Sequence, residues 1–182
     1  MTRPRVPLIW MSALALCLSL ASLPGRAAPQ AGFTSAYTDL NTQCRLVRAA
    51  SKGGDAPMRC AGPDGYRLLV SFSAWAADLF VESRDQRFSR LVAAGQAAGY
   101  ARQKGRKIEW RIANGKPFAV IARAFEYASG DDGAPDFSRS VDEKLIVKGL
   151  AGFEHIDFAV DARTTPNANV RARQLADESY QR

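Results

Sequence analysis

The chain has 182 residues, with 25 Lys and Arg against 18 Asp and Glu, a formal net charge of +7 and 47% hydrophobic residues. This length predicts one domain and excludes a large multidomain enzyme. The apolar content is sufficient for a core and excludes a wholly disordered chain.

The N-terminus has the pattern of an export signal. Arg3 and Arg5 precede an apolar run over 8–23, and Gly25 and Ala27 place small residues before a cleavage point. A basic start, a short apolar middle and a small-residue end are typical of a secretory signal peptide. An uncleaved anchor is the alternative, although the run is shorter than the roughly 20 residues of a spanning helix.

We therefore predict a signal peptide over 1–27 and a single exported globular domain over 28–182, in the periplasm or the medium. Cleavage would leave 155 residues with a net charge of +4, since three arginines belong to the leader and no acidic residue does. Nucleic-acid binders usually concentrate more positive charge than this. We predict neither nucleic acid nor a membrane span for the mature chain.

Cys44 and Cys60 are the cysteines that remain after residue 27. An even pair in an exported chain indicates a disulfide, which over a loop of this size contributes on the order of 3 kcal/mol. A metal pair or a redox pair is the alternative. Two cysteines alone do not form a closed zinc site, and the spacing is not C-x-x-C.

The first half of the mature chain has mixed signals. Apolar residues at helical spacing predict a short helix over 37–47, and a Gly- and Pro-rich stretch predicts a loop over 49–64. Strands are predicted over 66–72 and 79–82, with Trp75 between them packed into the core. Residues 86–105 suggest a helix that its glycines weaken.

The second half has sharper signals. Strict alternation predicts a strand over 107–112, Asn114-Gly115 predicts a hairpin, and a strand with two apolar faces follows over 117–127. A polar turn over 129–139 precedes short strands over 144–147 and 155–160. Thr165-Pro166 predicts the start of a helix that runs to Tyr180. The predicted fold class is α+β, a mainly antiparallel sheet of about six strands covered by the C-terminal helix.

His155 is the sole histidine of the chain. If 155–160 is a strand, His155 and Asp157 share a face, and so does Asp161 if the strand continues. A histidine with two carboxylates can bind a divalent metal or relay a proton. A half-exposed histidine beside acidic neighbours is the favoured interpretation, because no further ligand is evident. The chain has no G-x-S-x-G, H-E-x-x-H or S-x-x-K motif, and we predict no metal and no cofactor.

A basic run of Arg102, Lys104, Arg106 and Lys107 is a candidate contact for an anionic envelope component, with a solvated loop as the alternative. The acidic turn at Asp131, Asp132 and Asp136 does not match the spacing of a calcium loop.

Glu109 and Arg111 lie on the polar face of the strand over 107–112, which we expect to be wet. Arg123 interrupts an apolar strand and needs a partner. We predict an ion pair across the sheet between Arg123 and an acidic residue such as Glu109. The alternative is an arginine that binds a ligand carboxylate or phosphate.

Several segments resemble a group of small exported proteobacterial proteins that are uncharacterised. These segments are Tyr37-Thr38-Asp39-Leu40, Cys60-Ala61-Gly62, Glu109-Trp110-Arg111, Gly115-Lys116-Pro117 and Asn167-Ala168-Asn169. The resemblance implies export and a paired Cys44 and Cys60. It also implies a second cysteine pair, near the last strand and beyond the last helix. This chain departs from that pattern, since it has His155 in the first of these regions and no cysteine after Cys60.

The function predicted from the sequence is a non-catalytic exported protein that binds a partner or an envelope component. One alternative is a small periplasmic hydrolase or metal-dependent enzyme centred on His155, Asp157 and Asp161. The other is an inhibitor of a lytic enzyme, which would act through a protruding ordered loop over 129–139.

Overall fold

A computed structural model describes residues 32–47, 56–73, 76–96 and 107–181. These ranges contain ten strands, a one-turn 3₁₀ helix over Pro63–Gly65 and one C-terminal α-helix, α1. The strands are β1 (Phe33–Asp39), β2 (Cys44–Leu46), β3 (Met58–Ala61), β4 (Arg67–Ser73), β5 (Ala76–Glu82), β6 (Ser89–Gln96), β7 (Lys107–Ala113), β8 (Lys116–Ser129), β9 (Pro135–Gly149) and β10 (Asp157–Asp161), and α1 is Ala168–Tyr180.

The strands form two five-stranded sheets, in which every pairing is antiparallel. Sheet A has the order β1-β7-β8-β9-β10, and sheet B has the order β2-β3-β4-β5-β6. The predicted α+β class with antiparallel pairing is confirmed, but the single sheet of about six strands is wrong. Local sequence signals predict where strands lie but not which strands pair, and here β1 pairs with β7 while β2 to β6 form a sheet of their own.

Two apolar cores separate three layers. Between the sheets, Trp110 and Val120 of sheet A pack against Leu68 and Leu79 of sheet B. On the other side of sheet A, Phe118, Ile121 and Val147 pack against the buried alanines of α1. Sheet A is therefore covered on both faces, which explains why β8 is apolar on both sides, as the sequence predicts for a central strand.

The hairpin between β7 and β8 is confirmed at the predicted turn. Asn114 and Gly115 both have positive φ, at 51° and 79°. This is the backbone of a type I′ turn, which matches the twist of the two strands it joins.

The disulfide between Cys44 and Cys60 is also confirmed, and it links directly opposed residues of β2 and β3. The disulfide lies within sheet B, whereas a chain of two polar contacts joins sheet A to sheet B. Trp110 Nε1 donates to Thr38 Oγ1 at 2.9 Å, and that hydroxyl donates to the carbonyl of Ala61 at 2.8 Å. The indole nitrogen is thus satisfied inside the core, as burial of a Trp requires.

Three predictions in the first half are wrong. The stretch 49–64, predicted to be a loop, contains strand β3 over Met58–Ala61. Residues 37–47 contain the end of β1, a turn and β2 instead of a helix, because β1 pairs with β7 over its whole length. The segment 86–105 contributes β6 over its first part, where a helix was expected. Trp75 and residues 97–106 lie outside the described residues.

The start of the C-terminal helix also differs from the prediction. The residue before the first turn of α1 is Asn167, with φ of 53°, not Thr165. Asn tolerates this left-handed conformation better than most residues. The preceding turn is held instead by Asp161, whose carboxylate accepts the backbone N–H groups of Arg163 and Thr164.

Candidate functional site

A groove opens along β6, at the edge of sheet B. Sheet A continues beneath β6 and beyond it, so that the inner faces of β8 and β9 form a floor that sheet B does not cover. The groove has a volume of about 350 Å³. We call it the β6 groove, and its lining is Leu91, Val92, Ala93, Ala94, Ala124, Phe125, Glu126, Asp142, Lys144, Ile146 and Lys148.

The wall of the groove is an apolar edge strand. On the side away from β5, none of the described strands pairs with β6. From Leu91 to Gln96 the strand carries no charged residue and no proline. Natural edge strands usually carry such residues, because an exposed row of backbone N–H and C=O groups invites pairing with another chain. The register shift of β6 against β5 falls beside Val92, which is buried.

The floor of the groove is charged but internally compensated. Lys144 Nζ lies 2.6 Å from the Asp142 carboxylate. This contact lowers the pKa of Asp142 and raises the pKa of Lys144. Lys144, Ile146 and Lys148 lie on the same face of β9, because every second residue of a strand points to the same side. Ile146 is the apolar residue between the two lysines. The floor therefore offers apolar contact with a lysine on each side.

One end of the groove is closed by a clamp between the two sheets. Arg90 of β6 donates to Asp157 Oδ2 at 2.8 Å and to the carbonyl of Gly149 at 3.1 Å. Lys148 contacts the other oxygen of the same carboxylate. Asp157 thus joins the edge of sheet B to β9 and β10 of sheet A.

Acid should weaken this clamp. The hydrogen bond from Lys148 lowers the pKa of Asp157, and Arg90 lowers it further, while partial burial opposes both. A carboxyl with a lowered pKa contributes stability that is present above its unfolded pKa and is lost as pH falls through its folded pKa. We expect the stability difference between the wild type and Asp157→Asn, about 1 kcal/mol or less at neutral pH, to vanish as pH falls from 3.8 downward.

Urea unfolding of both proteins at neutral pH and near pH 3 measures this difference. Asp131→Asn is the control, because Asp131 is exposed in the β8–β9 turn and joins no sheets. A difference between wild type and Asp157→Asn that is equal at both pH values would contradict the clamp.

The structure does not assemble the predicted trio of His155, Asp157 and Asp161. β10 begins at Asp157, so His155 lies in the preceding turn and does not share a strand face with it. The His155 ring is exposed and its Nε2 lies 3.0 Å from the carbonyl of Ser179 at the end of α1. Asp157 belongs to the clamp, and Asp161 holds the turn before α1. No cluster of three or more His, Cys, Asp or Glu suited to a metal occurs among the described residues.

The face of β7 that carries Glu109 and Arg111 is buried, not wet. Arg111 donates to both carboxylate oxygens of Asp177 on α1, with its closest contact at 2.6 Å. Arg173 of the same helix donates to Glu109 at 2.7 and 3.0 Å. Each charge therefore has an opposite partner, and the network attaches α1 to sheet A.

The predicted ion pair of Arg123 is found with a different partner. Arg123 contacts Glu143 on the adjacent strand β9, and its second terminal nitrogen donates to Asn169 Oδ1 at 3.1 Å. Glu109 is engaged by Arg173 instead. Arg123 is thus a structural contact between sheet A and the start of α1, and its guanidinium is not directed at the β6 groove.

The remaining candidates lie elsewhere. Arg102, Lys104 and Arg106 fall outside the described residues, and Lys107 is exposed at the start of β7. The tip of the β8–β9 hairpin is an ordered turn, in which Gly130 N–H donates to the carbonyl of Ala134 and Asp132 accepts from Ala134 N–H. The outer part of this hairpin, residues 126–140, presents the half-exposed ring of Phe137, which contacts Tyr127 edge-on.

Sequence reasoning missed the β6 groove. The available signal is the uncharged stretch Leu91-Val92-Ala93-Ala94-Gly95, which suits an edge strand only if that edge is to be covered.

Among the described residues, no helix combines the length and hydropathy needed to cross a bilayer. Comparisons with protein-family models, with curated proteins and with solved structures found no match to this chain.

Proposed function

We propose that this chain is an exported, non-catalytic binding protein that takes an extended polypeptide segment of a partner as an additional strand on β6. The observation that carries the proposal is the uncharged edge strand from Leu91 to Gln96 facing the β6 groove. Strand addition obtains affinity from main-chain hydrogen bonds and specificity from alternate side-chain pockets.

The groove suits an extended segment in a second respect. A strand paired to β6 would lie over the floor formed by β9, where Ile146 is flanked by Lys144 and Lys148. Alternate side chains of that strand would point to this floor. We infer a preference for a segment with an apolar residue over Ile146 and no net preference for charge beside it, because Asp142 and Asp157 already pair with the two lysines.

Export is the other half of the proposal, and it is supported by the leader pattern of residues 1–27. A disulfide between Cys44 and Cys60 fits an oxidising compartment. The partner would then be another envelope or secreted protein. The enzymatic alternative has no supporting observation, because His155 faces a backbone carbonyl of α1 instead of a carboxylate.

The test begins with a random peptide library as long as β6, which has eight residues. We expect enriched peptides to alternate apolar and polar residues. Leu91→Lys should weaken the binding of these peptides by about tenfold, because a charge on an edge strand opposes pairing with another strand. Val170→Lys is the matched control, since Val170 on α1 is 47% exposed and Leu91 is 44% exposed.

Backbone methylation of an enriched peptide separates strand addition from ordinary side-chain contact. In an antiparallel pair, alternate N–H groups point to the partner strand. N-methylation at one parity should abolish binding, and at the other parity should leave it unchanged. No enrichment, or equal tolerance at both parities, would refute strand addition.

The hairpin over 126–140 is the competing surface, the one that an inhibitor of a lytic enzyme would use. Phe137→Ser should leave peptide affinity unchanged if the β6 groove is the site. If Phe137→Ser loses peptide binding while Leu91→Lys keeps wild-type affinity, the hairpin is the binding surface and the β6 groove is not.

A further inference from the structure

Three arginines share the outer face of sheet B, far along the sheet from β6. Arg45 of β2 is directly opposite Arg59 of β3. Arg67 of β4 is opposite Ala61, two residues along from Arg59. Their strand neighbours Cys60 and Leu68 point into the core, so all three arginines project to the other side.

These side chains line a shallow pocket of about 400 Å³, which also includes Tyr66 and the backbone at Gly62 and Gly65. We call it the arginine pocket. The Nε atoms of Arg59 and Arg67 are buried and have no hydrogen-bond partner among the described residues. A buried donor without a partner is costly, so a small rotation of either guanidinium that lets an acceptor reach Nε is favourable.

The positive charge of the arginine pocket is poorly compensated. Arg67 Nη2 makes only long contacts, at 3.4 Å to the carbonyls of Ser83 and Arg84 and at 3.9 Å to the Glu82 carboxylate. Neither Arg45 nor Arg59 has an ion pair within the described ranges. Like charges directly opposite each other on two strands destabilise the pairing.

The disulfide offsets this repulsion. Cys44 and Cys60 precede and follow the opposed arginines in β2 and β3, and their Cα atoms are 4.0 Å apart. β2 has three residues and pairs with β3 alone among the described strands. The covalent bond therefore holds Arg45 beside Arg59, although the two charges repel.

We propose that Arg45, Arg59 and Arg67 form an anion site for a phosphate monoester group. A carboxylate supplies one charge and two oxygens, whereas a phosphate monoester carries close to two charges and three free oxygens. Guanidinium groups match phosphate geometry and bind it with paired hydrogen bonds. The site is separate from the β6 groove, so it stands or falls independently of the peptide-binding proposal.

Titration calorimetry with inorganic phosphate, at constant ionic strength, tests the site on the full-length chain. We expect saturable binding to the wild type and affinity about tenfold weaker in Arg59→Gln, because hydrogen bonds to charged groups contribute at least that factor. Arg171→Gln is the charge-matched control, since Arg171 is exposed on α1. If Arg59→Gln does not fold, Arg45→Gln, at an exposed position, replaces it.

Vesicles distinguish a lipid headgroup from a soluble ligand. Vesicles of phosphatidylcholine mixed with phosphatidic acid present a phosphate monoester, and vesicles with phosphatidylglycerol present a diester of lower charge. If the protein sediments with the phosphatidic acid vesicles but not with the phosphatidylglycerol vesicles, and Arg59→Gln abolishes this sedimentation, the ligand is a lipid headgroup. If the protein binds free phosphate but sediments with neither kind of vesicle, the ligand is soluble. Neither form of binding, or equal loss in Arg171→Gln, would overturn the site.

The disulfide gives an independent readout. The double variant Cys44→Ser with Cys60→Ser should weaken phosphate binding by about the same factor as Arg45→Gln, because β2 is no longer held beside β3. Circular dichroism checks that the rest of the fold remains. Unchanged phosphate affinity in a folded double variant would overturn the role given to the disulfide in holding Arg45 beside Arg59.

Discussion

Asp177→Ala should lower the free energy of unfolding by about 3 to 5 kcal/mol, the range measured when one partner of a buried ion pair is removed. Arg111 is 5% exposed. Its Nε and Nη2 atoms both donate to Asp177, and its Nη1 donates to Ser35 Oγ at 2.6 Å. The variant would leave this guanidinium buried without its main counter-charge.

The rest of the network cannot replace Asp177. Glu109 lies 3.8 Å from Arg111, but it is already held by two hydrogen bonds from Arg173. Glu109 still attracts Arg111 from this distance, but it does not replace the three hydrogen bonds that Arg111 donates to Asp177. The expected structural consequence is that the C-terminal part of α1 loosens from sheet A.

Urea unfolding measures the effect, with Glu178→Ala as the control. Glu178 is the exposed neighbour of Asp177, and its removal should change stability by no more than about 0.5 kcal/mol. Replacing both partners, as in Arg111→Met with Asp177→Leu, should recover most of the loss, because the uncompensated charge is then absent. If Asp177→Ala alone lowers the free energy of unfolding by less than about 1 kcal/mol, solvent screens the ion pair between Arg111 and Asp177.

The same network marks where sequence reasoning fails. Alternation along β7 predicts the strand correctly, but a buried charged face and a solvated face have the same pattern. What distinguishes them is α1, more than 50 residues later in the chain. The presence of Asp177 near the end of α1, where the helix dipole disfavours acidic residues, is the local hint that this carboxylate has a specific partner.

Features fixed by short-range chemistry could be predicted. Asn114-Gly115 determines its own turn conformation, and the pairing of Cys44 with Cys60 could be predicted from the cysteine count together with the expectation of export. The division into two sheets could not be predicted, because it depends on which strands pair. The β6 groove follows from that division, so it was equally inaccessible.

The arginine pocket illustrates an intermediate case. The chain shows Arg45, Arg59 and Arg67 as separate basic residues, and only the register of β2, β3 and β4 brings them onto one face. The basic run of Arg102, Lys104, Arg106 and Lys107 is a separate prediction, and all of it except Lys107 lies outside the described residues. Contiguity in sequence is a poor guide to charge density on a sheet, where neighbours come from different strands.

Gly149→Ala should prevent stable folding. A Cβ atom at this position would lie 1.7 Å from the carbonyl oxygen of Phe153 and 2.6 Å from its carbonyl carbon. Both are backbone atoms, so no rotamer change can relieve the overlap. The substitution is opposed by this steric overlap and not by the backbone φ angle of Gly149. The overlap arises because the chain folds back on itself after β9.

The backbone cannot move away easily, because hydrogen bonds hold both sides of this turn. Gly149 N–H donates to Ile156 O at 2.7 Å, and Leu150 N–H donates to Phe118 O at 2.8 Å. The turn places Ile156 in the core under α1 and stacks Phe153 on Tyr180. Separating the two segments would therefore break both hydrogen bonds and open that core.

We expect a loss of more than about 4 kcal/mol, which is a large part of the 5 to 15 kcal/mol that stabilises a typical domain. Gly32→Ala is the control, because nothing lies within 4 Å of a Cβ at that position. The measurements are soluble yield and thermal unfolding of the two variants beside the wild type. Because Gly149 O also accepts from Arg90, a Gly149→Ala protein that folds should show a weakened clamp at the β6 groove. A variant with wild-type melting temperature and peptide affinity would show that the chain does not fold back this tightly after β9.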